Sequence, residues 1–256
     1  MHLLKGLIIA FSMYSRIPVP QFEWKEEDMR YTLCFFPWVG AVIGAACYGW
    51  ACLCAVLSVN ELCRSAVGMA IPLFLTGGFH VDGFMDTMDA FHSCRSRERK
   101  LEILKDSHIG AFAVIRLSAF GLIWFGALSQ VADGRLMGIV CAGFFLARCL
   151  SGIGVVSFRP AREDGLLHLF AETAHKRRVR AVLCVQAAVC VCLMAFLQPA
   201  AGLVAATAAL LALWYYDRRA KKELGGVTGD TAGYFLLICE ESILVAAAFF
   251  QTLAGI

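Results

Sequence analysis

From Tyr31 onward, apolar runs of roughly span length recur along the chain, separated by short polar stretches. A helix rises about 1.5 Å per residue and a bilayer's hydrocarbon core is about 30 Å thick, so these runs predict transmembrane helices. Seven are read: Tyr31–Val59, Leu62–Phe79, Ile109–Ala132, Leu136–Phe158, Val179–Leu197, Gly202–Tyr216 and Ala232–Ala254. The second contains Arg64, Pro72 and Gly77-Gly78, and the sixth is short and rich in alanine, so either could be tilted or partly re-entrant. Ahead of them, Met1 to Phe11 is a short apolar run broken by Lys5 with no small-residue cleavage site after it. It predicts an interfacial or short buried helix in place of a secretory leader. Pro18 and Pro20 stop that helix, since neither can donate to the hydrogen-bond ladder.

Composition agrees with the pattern. The chain is 59% hydrophobic and 17% charged, with a mean hydropathy of +0.69, beyond the apolar share of a soluble domain. No linker or low-complexity tract interrupts it, so residues 1–256 are read as one all-α integral membrane domain, a polytopic helical bundle. The twelve cysteines include no CxxC pair, and most lie inside apolar runs, where cysteine serves as a small buried apolar residue.

Charge placement orients the bundle. Of 23 Lys and Arg residues, four precede the first span, five follow the second, six follow the fourth and four follow the sixth. The opposite side holds only Arg64, at the very start of the second span, and Arg135, and Arg116 and Arg148 lie deeper inside spans. Basic residues of short loops collect in the cytoplasm, so the N-terminus is placed inside and the C-terminus outside. The polar stretches at about 77–108, 159–180 and 217–231 then share the cytoplasmic face.

The chemistry concentrates there. In the stretch Thr76 to Ala90, Asp82, Asp86 and Asp89 are spaced by four and three residues, which on a helix puts three carboxylates on one side. Such a cluster needs a cation, and Mg²⁺, which prefers carboxylate oxygens and keeps waters for phosphate to displace, suits it. Acidic residues favoured by a helix N-terminus would explain Asp82 or Asp86 but not all three. His80 and His92 flank the cluster as acid, base, ligand or hydrogen-bonded structural residues. Asp106, beside Lys105 and Ser107, could complete a metal site, act as a base or cap the third span. Leu224 to Gly233 combines Gly225, Gly226 and Gly229 with Asp230 just before a span, either a phosphate-approaching loop or a capped turn. Glu240 and Glu241 lie inside the last span, with Arg116 and Arg148 as candidate ion-pair partners.

Taken in order, TGGFHVDGFMDTMDAFHS, LEILKDSHIG and LGGVTGDTAG resemble the adenosylcobinamide-GDP ribazoletransferase (cobalamin synthase) family. The likeness extends to Ser15-Arg16-Ile17-Pro18-Val19-Pro20, to Phe36-Pro37 with Gly40 and Gly44, and to Ala161-Arg162-Glu163-Asp164-Gly165-Leu166. Met85, Ala90, His108 and Leu167 depart from the usual pattern, and none of them removes a proposed ligand.

The resemblance implies a Mg²⁺-dependent enzyme of the bacterial inner membrane with a cytoplasmic active site. It would join adenosylcobinamide-GDP to α-ribazole, or its 5′-phosphate, and release GMP. It implies Asp82, Asp86, Asp89 and Glu240 as metal ligands, and Asp106, Asp86 and His80 as catalytic groups. Arg16, Lys105, Ser107, Arg162, Gly226, Gly229 and Asp230 would bind substrate. The expected partners are those small molecules and the lipid bilayer, not nucleic acid; a homo-oligomer or association with other late-pathway enzymes is also admitted. The competing readings are a CDP-alcohol phosphotransferase-like enzyme, whose longer Asp-Gly-Ala-Arg pattern is absent, and a cation transporter using Asp82, Asp86, Glu240 and Glu241.

Overall fold

Hydrocarbon offers no partner for a backbone N–H or C=O, so a spanning chain must satisfy them within its own helices. The computed structural model describes residues 2–162 and 165–255, and most of them are helical. A lone parallel bridge between Pro160 and Val227 accompanies the helices, with no strand among the described residues. In chain order these are α1 (His2–Tyr14), α2 (Glu26–Met29), α3 (Thr32–Val56), α4 (Glu61–Thr76), α5 (Phe79–His92) and α6 (Arg97–Ile103). There follow α7 (Ala111–Gln130), α8 (Gly134–Ser157), α9 (Leu166–Thr173), α10 (Lys176–Leu197), α11 (Pro199–Leu224) and α12 (Gly229–Ala254).

Helices α3, α7, α8, α10, α11 and α12 are long and apolar enough to cross a membrane. Within the bundle, 78% of the apolar stretch of α8 and 61% of that of α12 is buried, against 17% for α7 and 22% for α10. Helices α8 and α12 therefore form the centre, and the outer helices present Leu122, Val185, Phe196 and Leu211 outward to lipid. Close packing between helices uses glycine, because lipid tails supply no hydrophobic drive and association rests on contact area. On α3, a Cβ at Gly40 would lie 2.3 Å from the Phe144 carbonyl of α8, and one at Gly44 would lie 2.3 Å from that of Cys141.

Two spans differ from the sequence reading. The expected second span, Leu62–Phe79, is α4, which Asn60 caps by accepting from the Cys63 N–H at 2.9 Å. It ends at Gly77 and Gly78, whose φ values of 68° and 79° lie in the left-handed region that glycine adopts without penalty. The chain turns there by 96°, so α5 leaves the line of α4 and packs against α12 and α7. The sixth span is longer than Gly202–Tyr216. Gln198 caps α11 through the Ala201 N–H at 2.7 Å with Pro199 at its first position, and the helix runs past the apolar stretch to Leu224. The short N-terminal helix packs inward through Ile9 and Ala10, leaving Leu3 and Leu4 exposed. All twelve cysteines are free, six of them buried.

Candidate active site

Helix α5 crosses the first turn of α12 at two glycines. A Cβ on Gly83 would sit 2.8 Å from the Asp230 carbonyl oxygen, and one on Gly233 would sit 2.9 Å from that of His80. Their absence lets the two backbones approach and sets Asp82 and Asp230 on the walls of one cleft of about 290 Å³. Phe79, Leu104, Arg162, Leu167, Thr228 and Gly229 are also in its lining. Thr228 starts α12 by accepting from the Thr231 N–H at 3.2 Å, while its own N–H donates to Thr231 Oγ1 at 2.8 Å. Gly225 takes φ 75° at the end of α11. Gly226 has backbone where a Cβ would be, 2.4 Å from the Arg159 carbonyl, because Val227 and residues 159–161 exchange backbone hydrogen bonds. That pairing carries Arg162 to the cleft, its Nη2 3.9 Å from Asp230 Oδ2. Two buried nitrogens of Arg162, Nε and Nη2, have no hydrogen-bond partner, as expected of a cation facing a site for anions.

Asp86, one turn beyond Asp82 on α5, is half-buried close to Asp82 and Asp230. Burial first, then the charges of Asp82, Asp230 and Asp89, push its carboxyl up to about 7. A pH-7 carboxylate under such crowding is one that a bound cation would relieve. Among the described residues no three His, Cys, Asp or Glu side chains converge closely enough to hold a metal ion by themselves. Mg²⁺ does not require that: it is held through one or two carboxylates, with waters and phosphate oxygens filling the rest, so Asp82 and Asp230 fit it.

The other sequence-derived residues divide. Asp89 turns away from the cleft, its Oδ2 accepting from Gly110 N–H at 2.6 Å and its Oδ1 from Ala113 N–H at 2.9 Å. It caps α7, the role weighed for Asp106, and it leaves Gly110 no room for a side chain. Asp106 is exposed and accepts from the His108 N–H at 3.0 Å and Nδ1 at 2.6 Å, contacts that hold its carboxyl below the usual range. Lys105 and Ser107 are exposed on the same loop. The Arg16 guanidinium packs over Gly77, and its backbone N–H donates to Leu75 at 2.7 Å, tying the loop after α1 to the α4–α5 break. His92 donates from Nδ1 to the Met88 carbonyl at 2.8 Å and stacks on Phe112, a structural role.

Glu240 is not brought to the carboxylates. Its Oε1 accepts from Arg148 Nη1 at 2.7 Å deep in the bundle, and Arg148 also reaches the Phe144 carbonyl at 2.9 Å. Arg116, the other candidate partner, is exposed on α7. His80 lies at the inner end of α5, only 5% exposed, among Tyr14, Phe36 and Phe79. Burial first and the Arg148 charge second push its imidazole down to about 3, so it is neutral at pH 7. Glu163 and Asp164 of the Ala161–Leu166 motif lie outside the described residues. The sequence reading missed Thr228 and Tyr14: a threonine before a helix is common, and no local pattern ties Tyr14 to a site some 65 residues away.

A bundle of apolar helices with acidic and basic groups gathered in one cleft defines a polytopic membrane protein with a polar site. The family described as cobalamin-5-phosphate synthase matches residues 6–248. The chain is 43% identical over 237 residues to the adenosylcobinamide-GDP ribazoletransferase of Lachnoclostridium phytofermentans, covering 93% of this chain and 90% of that one. A protein of the same name from Clostridium perfringens is 34% identical, covering 92% and 94%. Another, from a Roseiflexus species, is 35% identical, covering 93% and 86%. No solved structure matches. The chain belongs to the cobalamin-5-phosphate synthase family, whose work is a late step of cobalamin biosynthesis.

Proposed function

We propose that this protein joins adenosylcobinamide-GDP to α-ribazole, or to its 5′-phosphate, giving adenosylcobalamin, or its 5′-phosphate, and GMP. The observation that carries the proposal, beside family membership, is the cleft itself. Two carboxylates and an under-bonded arginine from three separate segments meet where a membrane-associated corrinoid and a water-borne nucleotide could both reach. A ribose hydroxyl of the acceptor attacks the phosphate attached to cobinamide. A new P–O bond forms, the bond to the GMP phosphate breaks, and the hydroxyl proton passes to Asp86. Asp82 and Asp230 would hold Mg²⁺, which when bound supplies charge neutralisation for the pyrophosphate. Arg162 binds the phosphate oxygens from the opposite wall, and Arg16, at the α4–α5 break, adds positive charge on the approach.

We place this cleft on the cytoplasmic side of the bacterial inner membrane, because the basic loops share its face. The test is purified protein in nanodiscs, supplied with adenosylcobinamide-GDP and α-ribazole 5′-phosphate with and without Mg²⁺, with GMP and the cobalamin product measured. GMP release should require Mg²⁺, and Asp82→Asn should slow it by about 10²-fold or more, in line with the several kcal/mol a catalytic metal supplies. Absence of GMP from well-folded protein overturns the proposal.

A further inference from the structure

Beside the carboxylate cleft, and sharing Phe79, Leu167 and Gly229 with it, a second cavity of about 130 Å³ runs inward between α1, α3, α8 and α12. Its walls are apolar and aromatic. Tyr14, Phe36 and Phe170 cluster with ring centroids 4.3 Å apart for Tyr14–Phe36 and 6.2 Å apart for Tyr14–Phe170. The Tyr14 ring lies nearly parallel to His80, at 11°. His80, more than nine-tenths buried, lines both this cavity and a neighbouring one beside Arg148 and Glu240, and its Nε2 is buried without a hydrogen-bond partner. A buried ring nitrogen left unpaired carries a desolvation cost that a ligand could remove.

We propose that this cavity binds the aromatic base of the acceptor nucleoside, with His80 Nε2–H donating to the base's one free ring nitrogen. The inference rests on the ribazole-acceptor reading above and adds where the base goes. Ribazole carries a benzimidazole, an apolar fused ring whose second nitrogen is taken by the glycosidic bond, so it presents a single acceptor. Besides His80 the walls carry only the Tyr14 and Ser151 hydroxyls among their polar side chains, so an apolar ring with one acceptor suits the lining. The guanine of the donor substrate would instead bury more donors and acceptors than these three side chains can meet. A base seated there directs its ribose into the cleft that Asp82 and Asp230 line. His80 is on this account a positioning residue for the acceptor.

The test reads binding, not turnover, so it stands apart from the transferase reading. Equilibrium dialysis of the full chain in nanodiscs, corrected with empty nanodiscs, would compare 1-methylbenzimidazole with 1-methylindole, which has the same shape but no ring acceptor. The benzimidazole should bind saturably and at least about tenfold more tightly, the scale of one buried hydrogen bond. His80→Leu should abolish that preference and His80→Gln, which keeps an N–H donor, should largely restore it. Val155→Phe, which fills the cavity from α8, should block both probes in protein that elutes and melts as wild type does. Equal affinity for the two probes in wild type, unchanged binding in Val155→Phe, or no saturable binding because acyl chains hold the cavity would each overturn the proposal. Failure of GMP release with binding intact would instead count against the transferase reading.

Discussion

Asp86 and Glu240 are both carboxylates in apolar surroundings, and their neighbours separate them. Glu240 has Arg148 at 2.7 Å, a pair whose worth lies mostly in what its loss would expose. Arg148→Met alone should destabilise the protein by about 3–5 kcal/mol in detergent unfolding, because Glu240 would stay buried without a partner. Adding Glu240→Leu should recover most of that loss and keep transfer activity. A well-folded double variant that has lost Mg²⁺-dependent activity would return Glu240 to the metal site. At Asp86, burial first and then the charges of Asp82, Asp230 and Asp89 raise the carboxyl to about 7. An acid with a higher pKa folded than unfolded takes up protons on folding, so stability declines as pH rises from about 4 to about 7 and stays lowered above that. With divalent cations chelated, Asp86→Asn should melt higher than wild type at pH 8, with the gap closing below pH 4. A gap that does not narrow across that window would show that Asp86 is not under charge strain.

Between helices, the site depends on how closely α5 can lie on α12. Gly83 and Gly233 set that approach, since a Cβ on either would sit under 3.0 Å from a backbone oxygen of the other helix. Gly83→Ala must push the helices apart by a few tenths of an ångström, shifting Asp82 relative to Asp230. Reaction rates are steep in such displacements, so kcat should fall by about ten- to a hundredfold while the protein still folds. Unchanged kcat would mean the crossing does not position the carboxylates. The Gly77-Gly78 break works alongside it: two successive left-handed residues turn the chain 96°, which takes α5 off the line of α4 and onto α12.

Across the membrane, the arrangement of loops makes a prediction about sidedness. Cys63 at the start of α4 and Cys94 after α5 are both exposed, and α4 runs between them. In otherwise cysteine-free protein in intact cells, a membrane-impermeant maleimide should label Cys63 from outside and reach Cys94 only after the cytoplasmic face is opened. Labelling of both from one side would mean that α4 enters and leaves by the same face.

The apolar runs and the basic loops alone determined that this chain is a multi-spanning helical bundle, because hydrocarbon thickness and backbone satisfaction leave few alternatives. They also drew attention to Asp82, Asp86 and Asp230, since a carboxylate near lipid is costly enough to be noticed wherever it stands. Helical periodicity grouped Asp89 with Asp82 and Asp86, but a shared helix face does not say which neighbour a side chain meets. The fold gave Asp89 to the N-terminus of α7 and Glu240 to Arg148, and brought Asp230 in as the cleft's other wall. Those assignments, and the aromatic cavity at Tyr14 and His80, depend on contacts between residues far apart in the chain. Spacing along one helix carries no information about them, because they are fixed by where glycines let backbones meet.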